Sequence, residues 1–205
     1  MSLGVTFLGL LKNTLLDPAR VARRLLDWPM PQQAVWLALG LSAVLSFMVL
    51  RLSVMVLGVN SDGGAAPFVS AYLKLFENPL LGLALQAAST LALALVMTGA
   101  GLILRQRLNF PGALRLSIWV QLAVTAGTVA ELLLFLVSPI AGKMLGILVL
   151  LLIARLIVMS TAELYQPLSP LAAIVGLVAS YIGLVLLLSF LLMLVGFQPP
   201  GMVGA

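Results

Sequence analysis

Five long apolar segments constrain this chain more than any other feature of its sequence. They cover residues 33–58, 79–104, 114–137, 141–162 and 168–197. A helix rises about 1.5 Å per residue, so about 20 apolar residues cross the roughly 30 Å hydrocarbon core of a bilayer. The sequence therefore predicts an all-α polytopic membrane protein, a bundle of about five transmembrane helices.

The composition agrees with a lipid environment. Hydrophobic residues make up 62% of the chain and charged residues 8%, against about a quarter charged in soluble domains. The mean hydropathy is +1.21. We therefore expect the lipid bilayer to be the first partner of this protein.

Residues with strong turn preferences separate the apolar segments and divide the chain. They predict a cytoplasmic amphipathic segment at 1–32, a transmembrane domain at 33–197 and a short non-cytoplasmic tail at 198–205. The connection at Ser138 and Pro139 is so short that the third and fourth spans must form an antiparallel hairpin.

The N-terminal segment has the pattern of two short amphipathic helices. Asp17 followed by Pro18 predicts the start of the second, because Asp is a favoured N-cap and Pro a favoured first helical residue. At about 100° per residue, one arc of this helix is basic. It contains Arg20, Arg23 and Arg24. Two placements are open: an interfacial helix pair against anionic headgroups, or a helix packed on the protein's own cytoplasmic face.

The distribution of Lys and Arg predicts the orientation. Seven of them fall on one side of the predicted spans: Lys12, Arg20, Arg23, Arg24, Arg105, Arg107 and Arg115. Lys74 and Lys143 fall on the other. By the positive-inside rule the N-terminus is cytoplasmic and, after five spans, the C-terminus is periplasmic in a bacterial inner membrane. These dispersed basic residues form no single basic face, so nucleic-acid binding is not expected.

The residue types present exclude most site chemistry. The chain has no Cys and no His, which removes disulfides, thiolate nucleophiles and the usual zinc or copper ligands. It contains no phosphate-binding Gly-rich loop and no paired-carboxylate spacing. We therefore expect no cofactor, no metal and no enzymatic activity.

A few polar residues lie inside the predicted spans, where ionisable groups are costly and need a reason. Arg51, Gln86 and Glu131 fall at a common depth near the outer surface, which predicts an ion pair of Arg51 with Glu131 completed by Gln86. The alternatives are a substrate or lipid-headgroup site at these residues, or a contact with another protein. Gln121 and Arg155 form a second predicted group in the inner leaflet, although Arg155 can also snorkel to the headgroups.

The order of these features resembles the prokaryotic branch of the Yip-domain family, named for Ypt-interacting membrane proteins. The resemblance rests on Asp17-Pro18 with its basic helix, the five spans, the segment 105–112 (RQRLNFPG) and the segment 162–165 (AELY). It implies a cytoplasmic-membrane protein without an assigned reaction. Eukaryotic relatives are linked to vesicle trafficking and Rab-type small GTPases through a longer cytoplasmic N-terminal region; about 30 residues precede the first predicted span here.

Two functional hypotheses follow. The first is a non-enzymatic scaffold, accessory subunit or bilayer-organising factor that packs against other membrane proteins or a second copy of itself. The second is a permease for a small solute or lipid, with its polar site at Arg51, Gln86 and Glu131.

Overall fold

The chain folds into a helical bundle, seen in a computed structural model that describes residues 7–57, 78–166 and 168–194. Its described helices are α1 (Phe7–Leu16), α2 (Pro18–Asp27), α3 (Gln32–Leu57), α4 (Pro79–Ile103), α5 (Phe110–Val137), α6 (Pro139–Leu164) and α7 (Pro170–Leu194). The last five are long and apolar enough to cross a membrane, which confirms the predicted all-α bundle of about five transmembrane helices. This is a multi-pass membrane protein.

The observed helices differ from the predicted spans mainly at the start of α5, which begins at Phe110 rather than at 114. The reason is Asn109, whose side chain accepts a hydrogen bond from the Gly112 backbone at 3.0 Å and adds a turn to the helix. The ends predicted at 58 and 197, and the tail 198–205, lie outside the described residues.

Polar caps set the starts of the other helices in the same way. The Asp17 side chain accepts from the Arg20 backbone at 3.1 Å, with Pro18 as the first residue of α2, as predicted. Asn78 caps α4 through the Leu80 backbone at 3.0 Å. Ser138 both ends α5 and caps α6, which produces the predicted hairpin.

The five long helices alternate in direction. At the end that we call the near end, α3, α5 and α7 begin and α4 and α6 finish; the opposite end is the far end. Gly112 at the start of α5 lies against Leu164 at the finish of α6. Gly101 in the last turn of α4 lies against the Tyr165 ring beside it.

Buried apolar side chains are concentrated toward the near end. The largest cluster joins the arm, defined as residues 7–31, to all five long helices. Among its most buried members are Ala22, Ala94, Met97, Ala100, Ala113 and Leu116. Helix α5 is the central element, because it packs against α3, α4, α6 and α2.

Candidate functional site

Four polar side chains meet in the middle of the bundle, which we call the middle-layer cluster: Ser46, Gln86, Gln121 and Thr125. Gln121 Nε2 donates to Ser46 Oγ at 2.9 Å and to Gln86 Oε1 at 3.3 Å. Ser46 Oγ and Thr125 Oγ1 are 2.7 Å apart. The cluster therefore ties α3, α4 and α5 together at one level.

The proton of each hydroxyl can be assigned around this cluster. Thr125 Oγ1 donates to the Gln121 backbone carbonyl at 2.8 Å, one turn back along α5. Its own acceptor site is then filled by the Ser46 hydroxyl, which in turn accepts from the Gln121 amide. The bonds close a ring through Gln121, and such chains of hydrogen bonds polarise and strengthen one another.

The ion pair predicted between Arg51 and Glu131 is not formed. Arg51 is exposed, and the Glu131 carboxylate lies against Gly146 of α6, where an added Cβ would be 2.7 Å from Glu131 Oε1. No hydrogen bond or ion pair of either residue is found within 7–57, 78–166 and 168–194.

The prediction matched depth and ignored the direction in which each side chain points. Ser46 and Thr125 mark the α3–α5 contact. Arg51 lies five residues beyond Ser46 and Glu131 six beyond Thr125, about 7.5 Å and 9 Å farther along, so the two depths do agree. At about 100° per residue, however, they are turned about 140° and about 120° away from that contact.

The second predicted group is also separated. Gln121 bonds Ser46 and Gln86 in the middle layer, whereas the Arg155 guanidinium Nη1 donates to the Leu15 backbone carbonyl at 3.4 Å. Gln86 thus belongs with Gln121 rather than with Arg51 and Glu131. The prediction matched residues by depth alone and so assigned Gln86 and Gln121, which bond each other, to two different groups.

The arm stands alongside α6 instead of crossing its end. Arg155 contacts Leu15, and Glu163 receives Arg23, with Arg23 Nη2 2.9 Å from Glu163 Oε1. The two contacts are eight residues apart on both the arm and α6, which corresponds to about 12 Å of helix. The arm therefore packs along the near half of α6, and α2 contacts that helix directly.

The other side of the arm is held by α5. The Arg115 guanidinium donates to the Trp28 and Met30 carbonyls, both at 3.1 Å, and the Trp119 indole donates to the Thr14 hydroxyl at 3.1 Å. The apolar face of α2 is buried in the same place, with Val21 and Ala22 at most 3% exposed. Of the two placements left open by the sequence, the one on the protein's own surface is observed.

The predicted basic arc of α2 is divided by this arrangement. Arg23 bonds Glu163, and that hydrogen bond, with the attraction of the opposite charge, raises the pKa of Arg23 above its ordinary value. Arg20 pairs with Asp17 at 3.2 Å on the exposed face, and Arg24 is exposed. Two of the three arginines therefore remain on the solvent side of the arm.

Sequence reasoning missed Ser46, Thr125, Trp119 and Arg115. A sequence signal did exist for Thr125, because Gln121 and Thr125 are four residues apart and share a face of an otherwise apolar span. Nothing in the local sequence indicated that Trp119 or Arg115 would bind the arm, since those contacts join residues 85 to 105 positions apart.

The chemistry available to the middle-layer cluster is limited. Its amide and hydroxyl groups donate and accept hydrogen bonds but carry no charge near neutral pH, and here they bond one another across three helices. No protein-family model, curated protein or solved structure matches the chain.

Proposed function

We propose that this chain is a non-enzymatic membrane protein of the Yip-domain type that acts as a scaffold, accessory subunit or bilayer-organising factor. The observation that carries the proposal is the closed middle-layer cluster, in which Gln121 bonds both Ser46 and Gln86. A transport site presents polar groups to a solute, whereas these groups bond one another across three helices. The absence of Cys and His from the sequence further supports a role without catalysis.

The proposed location is a bacterial inner membrane, with the near end of the bundle at the cytoplasm. Support comes from the basic residues, because Arg105, Arg107 and Arg115 lie at or beside the near end together with the arm. Anionic headgroups attract such residues. Arg24 and Arg107 are exposed and available to them.

We further propose that the far halves of α4 and α7 form the contact face for another membrane protein or a second copy. The near halves of these helices pack closely: a Cβ at Gly99 would clash with Ser180 Oγ, and one at Gly176 would be 2.7 Å from Leu104. Toward the far end, Ala84 and Ala88 of α4 are exposed. Small exposed residues allow a neighbouring helix to approach closely in lipid.

Helix α7 likewise changes from closely packed in its near half to exposed in its far half. A Cβ at Gly183 would have no atom within 4 Å, and beyond it the side chains of Val185, Leu186, Leu187, Leu188, Phe190 and Leu191 are between 43% and 64% exposed. A helix that is apolar all round requires a partner helix or lipid around it. A scaffold uses such a face for its partner.

Site-specific photo-crosslinking tests this proposal. A photoreactive amino acid is placed at Ala88 or Leu187 on the proposed face, and at Ala154 of α6 as a control of matching exposure in the same membrane. We expect a protein adduct of one defined mass from the first two positions and lipid adducts alone from the control. Lipid adducts at all three positions, together with a monomer recovered from mild detergent, would contradict a scaffold role.

The permease hypothesis has no comparable support. Of its three residues, Gln86 bonds Gln121, while Arg51 is exposed and Glu131 lies against Gly146. Solute uptake that depends on Arg51 and Glu131 would revive it.

A further inference from the structure

A lateral groove opens between α5 and α6 at the level of the membrane. It has a volume of about 250 Å³ and is lined by Thr14 and Leu15 of the arm, by residues of α5 that include Ala126 and Ala130, and by α6 residues from Leu145 to Leu156. All of these residues except Thr14 are apolar. Leu15 and Ala130 are exposed, so the groove is open to the surroundings of the bundle.

The dimensions of the groove favour a single hydrocarbon chain. On α6 its lining runs from Leu145 to Leu156, about 16 Å of helix, which is close to half of the roughly 30 Å hydrocarbon thickness. That length matches one acyl chain of one leaflet.

A cation lies at the near end of this groove. Arg155 precedes the lining residue Leu156, is exposed, and places Nη1 3.4 Å from the carbonyl of the lining residue Leu15. A guanidinium has five N–H donors, and the Leu15 carbonyl is its acceptor within the described chain. The charges of Asp17 and Arg20 nearby cancel in their own pair, so this end is net positive.

The depth of Arg155 brings it close to the near boundary of the hydrocarbon. It lies 16 residues after Pro139, the first residue of α6 at the far end, or about 24 Å along the helix. The far boundary of the hydrocarbon set at Pro139 leaves Arg155 about 6 Å inside the opposite boundary, within the reach of a snorkelling arginine side chain. Its guanidinium therefore reaches the headgroup layer of the near leaflet.

We propose that this groove is a binding site for an anionic phospholipid, with one acyl chain between α5 and α6 and the phosphate on Arg155. The acyl chain alone gives little selectivity, because the surrounding lipid tails are as apolar as the groove. The headgroup contact selects the lipid class. This site does not depend on the proposed scaffold role.

Native mass spectrometry of the full chain provides the test, after detergent extraction in an equimolar mixture of phosphatidylglycerol and phosphatidylcholine. We expect the wild type to retain one phosphatidylglycerol in preference to phosphatidylcholine. Arg155→Gln should lower that preference about fivefold, the ratio expected for one cation near a membrane surface. Arg155→Lys should keep most of it, and Arg51→Gln, which removes an exposed charge of the far half outside the groove, should leave it unchanged.

Filling the groove tests the acyl-chain part separately. Ala126→Leu should abolish retention of both lipids, while Ala84→Leu on the exposed face of α4 should not. Ala130→Leu provides a second filling variant at an exposed position of the lining, where the fold is less sensitive. Equal retention of both lipids by the wild type, lipid retention unchanged in Ala126→Leu and Ala130→Leu, or a second protein chain crosslinked in the groove would each overturn the proposal.

Discussion

The near and far halves of the bundle are built differently. In the near half, side chains far apart in sequence bond across elements, as Arg115 bonds Met30 and Arg23 bonds Glu163. In the far half the charged residues Arg51 and Glu131 have no bond among the described residues, and α7 is exposed on most of its surface. The difference shows that specific polar contacts fix the arm and the near half, while the far half depends on close approach of α5 to α6.

The largest effect is expected at Arg115, which binds two backbone carbonyls of the arm and is half-buried. Hydrogen bonds from charged donors contribute about 1.5 to 3 kcal/mol each. Arg115→Ala should therefore lower the unfolding free energy in mixed micelles by at least the contribution of one such bond. Because the arm is released, trypsin should also cleave it faster. Arg107→Ala removes an exposed arginine and should change neither measurement; an equal loss in both variants would refute the assigned role of Arg115.

The close approach of α5 to α6 in the far half is tested at Gly142. A Cβ at this position would be 2.7 Å from the Phe135 Cα, and the contacted atoms are backbone that cannot move away independently. Gly142→Ala should therefore cost about 1 to 3 kcal/mol of overpacking in the same unfolding measurement. Gly183→Ala, at a position with no atom within 4 Å, is the matched control and should lose nothing. A tolerated Gly142→Ala would show that the hairpin is looser than the structure indicates.

A smaller loss is expected from the middle-layer cluster, which separates the two halves. Gln121→Leu removes the bonds to Ser46 and Gln86, and interhelical hydrogen bonds in membranes contribute about 1 kcal/mol. Ser89→Ala removes a hydroxyl that bonds only its own helix at 2.8 Å and should be nearly neutral. If both variants have the same unfolding free energy as the wild type, the cluster does not hold the helices together.

The fold was predictable because the features that make a helix cross a bilayer can be found within each segment of the sequence. Segment length, apolar composition and capping residues are all properties of neighbouring positions, so the spans and the start of α2 at Pro18 could be inferred from the sequence alone. The extra turn of α5 was missed because the apolar run starts later than the helix that Asn109 caps. Segment length and capping residues thus predicted which helices form, whereas hydropathy alone predicted the ends of the helices less accurately.

The site was less predictable because it depends on how helices are rotated about their axes. Depth follows from counting residues, and Arg51 and Glu131 do lie at similar depths. Rotation follows from packing between helices distant in sequence, as with Ser46 and Thr125, which are 79 residues apart. The placement of the arm is of the same kind, since the amphipathic pattern of α2 fits a membrane surface and a protein surface equally well.

The smallest expected effect is a coupling near zero between Arg51 and Glu131, and it decides between depth matching and the observed rotation. A bonded pair within a membrane protein would make Glu131→Gln destabilising and Arg51→Leu compensating. With the two side chains turned away from the α3–α5 contact, the double variant should equal the sum of the single ones within about 0.3 to 0.5 kcal/mol, as for sites without shared partners. The measurement is a double-mutant cycle on the unfolding free energy in mixed micelles. A coupling above about 1 kcal/mol would mean that the two charges do meet, and that the far half has a specific contact of the kind seen in the near half.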